Sequence, residues 1–458
     1  MKNSLFLLGL IPMLTCGYSK AANPIPPDDG EAKEAYVAYF TKSLGGDKTP
    51  YYPTDAVLTA DQVAEEQTAV WDSWKAANRD LAEDKLISLQ ALSKDHSGKF
   101  DLTAYEPNAV MPYYYGTKGP EKPEAGWPLF LYLHGSGPKI NEWNGGFAIC
   151  SYFNDAPSAY FIPQIPNEGN YYRWWQKAKQ QAWERLLRQA FVSGEIDPNR
   201  VYFFGISEGA YGSQRLASFY ADYLAAAGPI AGGEPLENAP AENCANIAFS
   251  FRTGSKDNGF CRNELTKAAK EEFDRLQELH PGYYIHDIQV VPRATHTSID
   301  YRQTTPWMKT YIRNPHPKYV FWENFEMDGR YRDGFYNLYV KERSNDDASS
   351  RSCYEMTIDG NTVNLNVNTV TWKVIERTSQ WNLAKKYIKI YTPATKGKVV
   401  IYLNDKLVDL DKPVTVRVNG REAFKGKVEL NAAHLVNSCA AFFDPERLFP
   451  AAVEVQIN

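Results

Sequence analysis

Cysteine is scarce: there are six in 458 residues, and none stands at metal-ligand spacing from one of the seven histidines or from another cysteine. That excludes a metal site readable from Cys and His spacing, and neither a metal ion nor an organic cofactor is expected. Surplus basic charge is also missing. The formal net charge is −5, so the chain lacks the positive field that nucleic-acid binding needs. Beyond the N-terminal segment there is no run of about 18 apolar residues, which excludes a membrane-spanning helix from the rest of the sequence. No internal repeat is present, and with it goes any propeller-like array.

What remains is the composition of a globular protein, 43% hydrophobic and 23% charged, in a chain long enough for two or three domains. Aromatic residues reach 14%, with 30 Tyr and 11 Trp. That richness suits flat sugar faces, and it equally suits core and sheet filling. The opening "MKNSLFLLGLIPMLTCGYSKAAN" has Lys2, an apolar run and then small residues, the pattern of a secretory signal peptide over 1–21. A secreted, periplasmic or cell-surface protein is therefore expected. Cys16 is an alternative lipid-anchor site, although Met13 and Thr15 make a poor lipidation box. Cys150, Cys244, Cys261, Cys353 and Cys439 then remain, an odd number, so one thiol is expected to be free. Cys244 with Cys261 and Cys353 with Cys439 are the pairs closest in sequence and region.

Residues 22–85 read as a Pro-rich linker and a helical extension, with a capping-box pattern at Thr59 and Gln62 before "VAEEQTAVWDSWKAAN". From Leu86 strand-like runs begin, starting with "ISLQAL". Between "PLFLYLHGSG" and "YYIHDIQVV" strands and helices then alternate, which implies a mostly parallel sheet with helices on both faces over 86–316. Beyond Pro317 short alternating runs take over, with Asp359-Gly360 and Asn419-Gly420 at hairpin-turn positions. A smaller all-β sandwich is expected over 317–458.

The stretch "VYFFGISEGAYG" places Ser207 between Gly205 and Gly209, after a strand-forming run and before a helix. This is the context of a nucleophile elbow, a tight strand-to-helix turn that lifts the serine hydroxyl above the sheet. A serine hydroxyl needs a base to take its proton and a carboxylate to orient that base. His296 in "VVPRATHTSID" falls in the loop after the last strand of the alternating region; His316, between two prolines, is the fallback. Asp257 in "GSKDNGF" follows the preceding strand, and Asp287, within a strand, is the competitor. Oxyanion donors are expected from the backbone N–H of Glu208 and of Ser136 in "LHGSG", with His134 bracing that loop.

Together "LFLYLHGSGP", "IDPNRVYFFGISEGAYG", "GSKD" and "THTSIDYRQTTPWM" resemble the secreted esterase branch of the α/β-hydrolase family, over roughly Leu86 to Arg313. Glu208 is a departure, because many relatives carry a small or amide residue after the nucleophile. The tail "KVVIYLNDKLVDLDKPVTVRVNGREAFKGKVEL" resembles the C-terminal β domain of secreted hydrolases from polysaccharide-degrading gut bacteria, and among these the chain looks most like α/β-hydrolase pectin methylesterases. The resemblance implies a serine carbohydrate esterase acting on methyl galacturonate esters of pectin. Acetyl or feruloyl esterase activity, and a non-catalytic glycan-binding role, are the alternatives.

A pectic substrate calls for an open cleft with cations for neighbouring galacturonates. Arg173, Arg252, Lys256 and Arg302 lie near the proposed site elements. "NEGNYYRWWQKAK", at the nucleophile end of the sheet, offers Tyr171, Tyr172, Trp174 and Trp175 as sugar-stacking rings or as packing against the next helix.

Overall fold

The computed structural model describes residues 29–46, 52–53 and 56–458. The signal-like segment 1–21, Cys16 and nearly all of the Pro-rich linker lie outside the described residues. Two helices, α1 (Asp29–Leu44) and α2 (Val63–Asp80), precede the first sheet. Before α2 the Gln62 carboxamide accepts from the Thr59 N–H at 2.9 Å, the reciprocal half of the capping box.

Eight strands follow: β1 (Ser97–Asp101), β2 (Val110–Lys118), β3 (Trp127–Leu133), β4 (Ser158–Pro163), β5 (Ile196–Ile206), β6 (Ala226–Ile230), β7 (Ala248–Gly254) and β8 (His286–Val291). They form one sheet in the order β1-β2-β4-β3-β5-β6-β7-β8, antiparallel at β1/β2 and β2/β4 and parallel from β4 onward. The helices α3 (Lys139–Tyr152), α4 (Lys177–Ser193), α5 (Glu208–Phe219) and α6 (Arg262–Leu279) lie between them, and α7 (Thr304–Met308) follows β8. Every residue of β3, "WPLFLYL", is buried, because a central parallel strand covered on both faces needs apolar side chains on each. "ISLQAL" forms no strand of its own; it meets the sheet through a bridge from Ala91 to Thr117.

The remaining chain contributes β9 (Tyr319–Asn324), β10 (Gly334–Phe335), β11 (Leu338–Glu342), β12 (Arg351–Asp359), β13 (Thr362–Arg377), β14 (Ala384–Pro393), β15 (Lys398–Leu403), β16 (Val414–Val418), β17 (Arg421–Gly426), α8 (Ala432–Phe442) and β18 (Ala451–Gln456). Four strands make a sheet in the order β10-β11-β15-β18; six make a second, with β14 extending β13. Asn419 and Gly420 both take positive φ, 48° and 79°, at the β16–β17 turn, as a two-residue hairpin requires.

This region is neither all-β nor a separately packed unit. Helix α8 packs with α1 and α2 around Phe40, Trp74, Leu435 and Cys439. Another apolar cluster runs without a break from β3 and β5 into β9, β12 and β15. Buried ion pairs cross the same boundary: Arg447 pairs with Asp222 at 2.6 Å and Arg313 with Asp444 at 2.6 Å, while Arg447 also holds Asp444 within the C-terminal region at 2.8 Å. Each charge is satisfied by a partner of opposite sign, and removing one member of such a set costs about 3–5 kcal/mol.

All five described cysteines are free and buried, so neither expected disulfide forms. Cys353 lies in β12 while Cys439 lies in α8. The Cys244 thiol instead faces Ser218 Oγ at 3.8 Å, and Cys261 donates to Gln380 O at 3.1 Å.

Candidate active site

The turn after β5 is built by two glycines that cannot carry a side chain. A Cβ on Gly209 would stand 1.9 Å from Leu133 O, and one on Gly205 would stand 2.4 Å from Gly209 O. Ser207 between them has φ 58° and ψ −113°, a strained conformation that the close packing of β3, β5 and α5 holds in place. Its Oγ lies 3.1 Å from His296 Nε2, and His296 Nδ1 lies 2.7 Å from Asp257 Oδ2. The acid and histidine loops are fixed to one another by the backbone: the Lys256 N–H donates to Ala294 O at 2.9 Å, and the Ser255 N–H to Val291 O at 2.9 Å.

Asp257 has a second partner that was not singled out from the sequence. Arg262, the first residue of α6, donates through Nε to Oδ1 at 2.9 Å and places Nη2 2.8 Å from the same oxygen. Burial alone would raise the Asp257 carboxyl, but the hydrogen bonds from His296 and Arg262, with the Arg262 charge, hold it below its ordinary value. One sequence signal was available. A cation at the first turn of a helix opposes the helix dipole and therefore calls for a specific anionic partner.

The neighbouring loop 134–137 carries the expected oxyanion donor. A Cβ on Gly135 would lie 3.5 Å from Ser207 Cβ, so the loop runs directly beside the serine, with Ser136 exposed on it. The Gly137 N–H is taken by Glu142 Oε1 at 3.0 Å. Glu208 opens α5, so its N–H has no acceptor within that helix. His134 is buried, with Nδ1 2.7 Å from Gly135 O and Nε2 accepting from the Ile165 N–H at 3.0 Å. Burial lowers it to about 4, which keeps a neutral ring bracing the loop.

Two of the proposed sugar-stacking rings do other work. Trp174 is fully buried, and its Nε1 donates to His134 O at 2.9 Å. Tyr172, also buried, donates to Gly135 O at 2.7 Å. Both brace the loop from behind, because the chain after β4 turns these rings towards the sheet. Trp175 is part-buried, with the Arg215 guanidinium 3.9 Å over its ring, while Tyr171 is exposed.

Among the cations, Arg252 is engaged by Asp287 at 2.9 Å, which also accounts for the rival acid, and Arg302 is engaged by Asp300 at 2.7 Å. Lys256 is exposed beside Asp257. The Arg173 side chain, 48% exposed, lies 3.7 Å from Glu208 Oε2. The other Glu208 oxygen is buried without a hydrogen-bond partner. Burial pushes this carboxyl up to about 7, with Arg173 acting in the opposite direction. His316 packs against Phe449, outside the Ser207–His296–Asp257 chain of contacts. Among the described residues no group of three or more His, Cys, Asp or Glu side chains is placed to hold a metal ion.

No protein-family model and no curated protein matches the chain. Solved structures similar to it include a thermostable esterase at 18% identity, covering 48% of this chain and 64% of that one, with a TM-score of 0.36. A ferulic acid esterase from the anaerobic fungus Anaeromyces mucronatus shares 14% identity over 51% of this chain and 95% of its own, with a TM-score of 0.37. Esterase 2 of Thermogutta terrifontis shares 12% over 47% of this chain and 92% of its own, with a TM-score of 0.35. The chain thus spans just under two thirds of the first of these. At such low similarity the chemistry is read from the contacts of Ser207, His296 and Asp257 themselves.

Proposed function

We propose that the protein is a serine carboxylic-ester hydrolase. The observation that carries this reading is the unbroken line of contacts from Ser207 Oγ through His296 to Asp257. Ser207 Oγ attacks the ester carbonyl carbon while His296 Nε2 takes its proton. Asp257 holds the imidazole in the required tautomer and stabilises its charged form. The carbonyl oxygen becomes an oxyanion facing the N–H groups of Ser136 and Glu208. When the tetrahedral intermediate collapses, His296 returns the proton to the departing alcohol and the acyl group stays on Ser207. Water then attacks this acyl-enzyme with His296 again as base, releasing the acid and restoring the serine.

For the substrate we propose ester groups on plant polysaccharide, with methyl-esterified galacturonate of pectin as the best match. In that ester the sugar sits on the acyl side, so the polymer stays on Ser207 and methanol leaves. The half-exposed Arg173, the exposed Lys256 and the exposed Tyr171 support an acidic, ring-bearing substrate. A secreted, periplasmic or cell-surface location accords with the signal-like N-terminus.

Methanol and acetate release from methylated and acetylated pectic fragments tests both levels. Methanol from the parent and none from Ser207→Ala is the expected result. Acetate alone would move the substrate while keeping the mechanism, and pectin binding with no release of any ester product would leave a glycan-binding protein instead.

A further inference from the structure

The C-terminal region reaches the acid loop through one long hairpin. β13 and β14 pair from Asn368 with Pro393 to Arg377 with Ala384, and the turn joining them, 378–383, rests on the chain that carries Asp257. There the Ser379 N–H donates to Glu264 at 3.2 Å, Lys385 lies 3.6 Å from the same carboxylate, and Cys261 donates to Gln380 O at 3.1 Å. The turn is also closed on itself, with the Thr378 N–H donating to Leu383 O at 2.9 Å and the Leu383 N–H to Thr378 Oγ1 at 3.0 Å. It is therefore held in one place.

Trp381 stands at the tip of this turn and Phe260 on the opposing loop, three residues after Asp257. Their ring centroids are 5.1 Å apart with 32° between the planes. Both are left-handed, at φ 63° and φ 51°, where bulky residues are rarely found. Both also face solvent, Trp381 with 64% and Phe260 with 55% of its surface exposed. Core packing does not require two strained residues, from separate parts of the chain, to present adjacent rings to water; a ligand with a flat apolar face does. The pair is continuous with the catalytic machinery, because the Arg262 guanidinium that grips Asp257 lies 5.6 Å from the Phe260 ring.

Building on the carbohydrate-ester reading, we propose that Phe260 and Trp381 form a stacking platform for sugar rings of the polymer on the acid side of the active site. The C–H face of a pyranose covers the two rings while its hydroxyls remain in water. Lys256, exposed on the same loop, meets the carboxylate of an acidic sugar held there.

The test is calorimetric titration of methyl-esterified oligogalacturonides into Ser207→Ala, alone and combined with Trp381→Ala or Trp381→Phe. Trp381→Ala is expected to raise Kd roughly three- to tenfold, with most of the loss recovered by Trp381→Phe. An unchanged Kd, a loss that Trp381→Phe does not relieve, or no sugar binding by Ser207→Ala overturns the platform. Methanol release by the parent is read separately. Release together with an unchanged Kd removes the platform and keeps the esterase; ring-dependent binding without release of any ester product does the reverse.

Discussion

Arg262 and His296 hold opposite oxygens of Asp257, Arg262 Nε at 2.9 Å from Oδ1 and His296 Nδ1 at 2.7 Å from Oδ2. The acid therefore cannot rotate without breaking a charge-assisted hydrogen bond, and His296 stays aligned on Ser207.

Replacing Arg262 with Met tests that grip. Asp257 sits below its ordinary value of 3.8, so the stability it contributes is present above that value and is lost as pH falls through the lower folded value. Without Arg262 the carboxyl rises. The acid limb of folding stability against pH should shift upward, with a stability loss of about 3–5 kcal/mol in denaturant melts at neutral pH. An unmoved acid limb would mean that His296 alone sets the state of Asp257.

Glu208 gives the opposite pH signature. Its folded value of about 7 exceeds the ordinary 4.5, so between those values the folded protein holds the proton more tightly than the unfolded chain does. Stability contributed by this group falls as pH rises across that window. Glu208→Gln removes the dependence, and its Tm relative to the parent should climb between pH 4.5 and 7. A constant difference across the window would show that the carboxyl is not raised.

The elbow makes a steric prediction. With Leu133 O 1.9 Å from the position of an added Cβ, Gly209→Ala must push β3 and α5 apart. A loss above about 3 kcal/mol, or failure to fold, is expected in thermal melts, as for other core overpacking.

What could be read from the sequence was whatever depends on short-range rules. Unbroken apolar runs such as "WPLFLYL" mark strands buried on both faces, and Gly205 and Gly209 mark a turn whose sterics are local. His296 and Asp257 were singled out because they follow strands at one end of the sheet, and the fold brings them together with Ser207. Side-chain direction within a loop has no such rule. Trp174 and Tyr172 were placed correctly along the chain, yet they turn inward to brace 134–137. Helix α8 escaped because its apolar sequence "AAHLVNSCAAF" lies among alternating strand runs, and its partners α1 and α2 stand near the other end of the sequence. The closeness of Trp381 to Phe260 depends on a sheet reaching across the chain, which no local pattern encodes.

The central claim is that Ser207 becomes the acylated nucleophile with His296 as its base. Labelling with a fluorophosphonate, followed by peptide mass spectrometry, tests it most directly. The account predicts an adduct on Ser207 in the parent, none in Ser207→Ala, and labelling slowed by roughly three or more orders of magnitude in His296→Ala. An adduct on another residue, or equal labelling of the parent and His296→Ala, would contradict it.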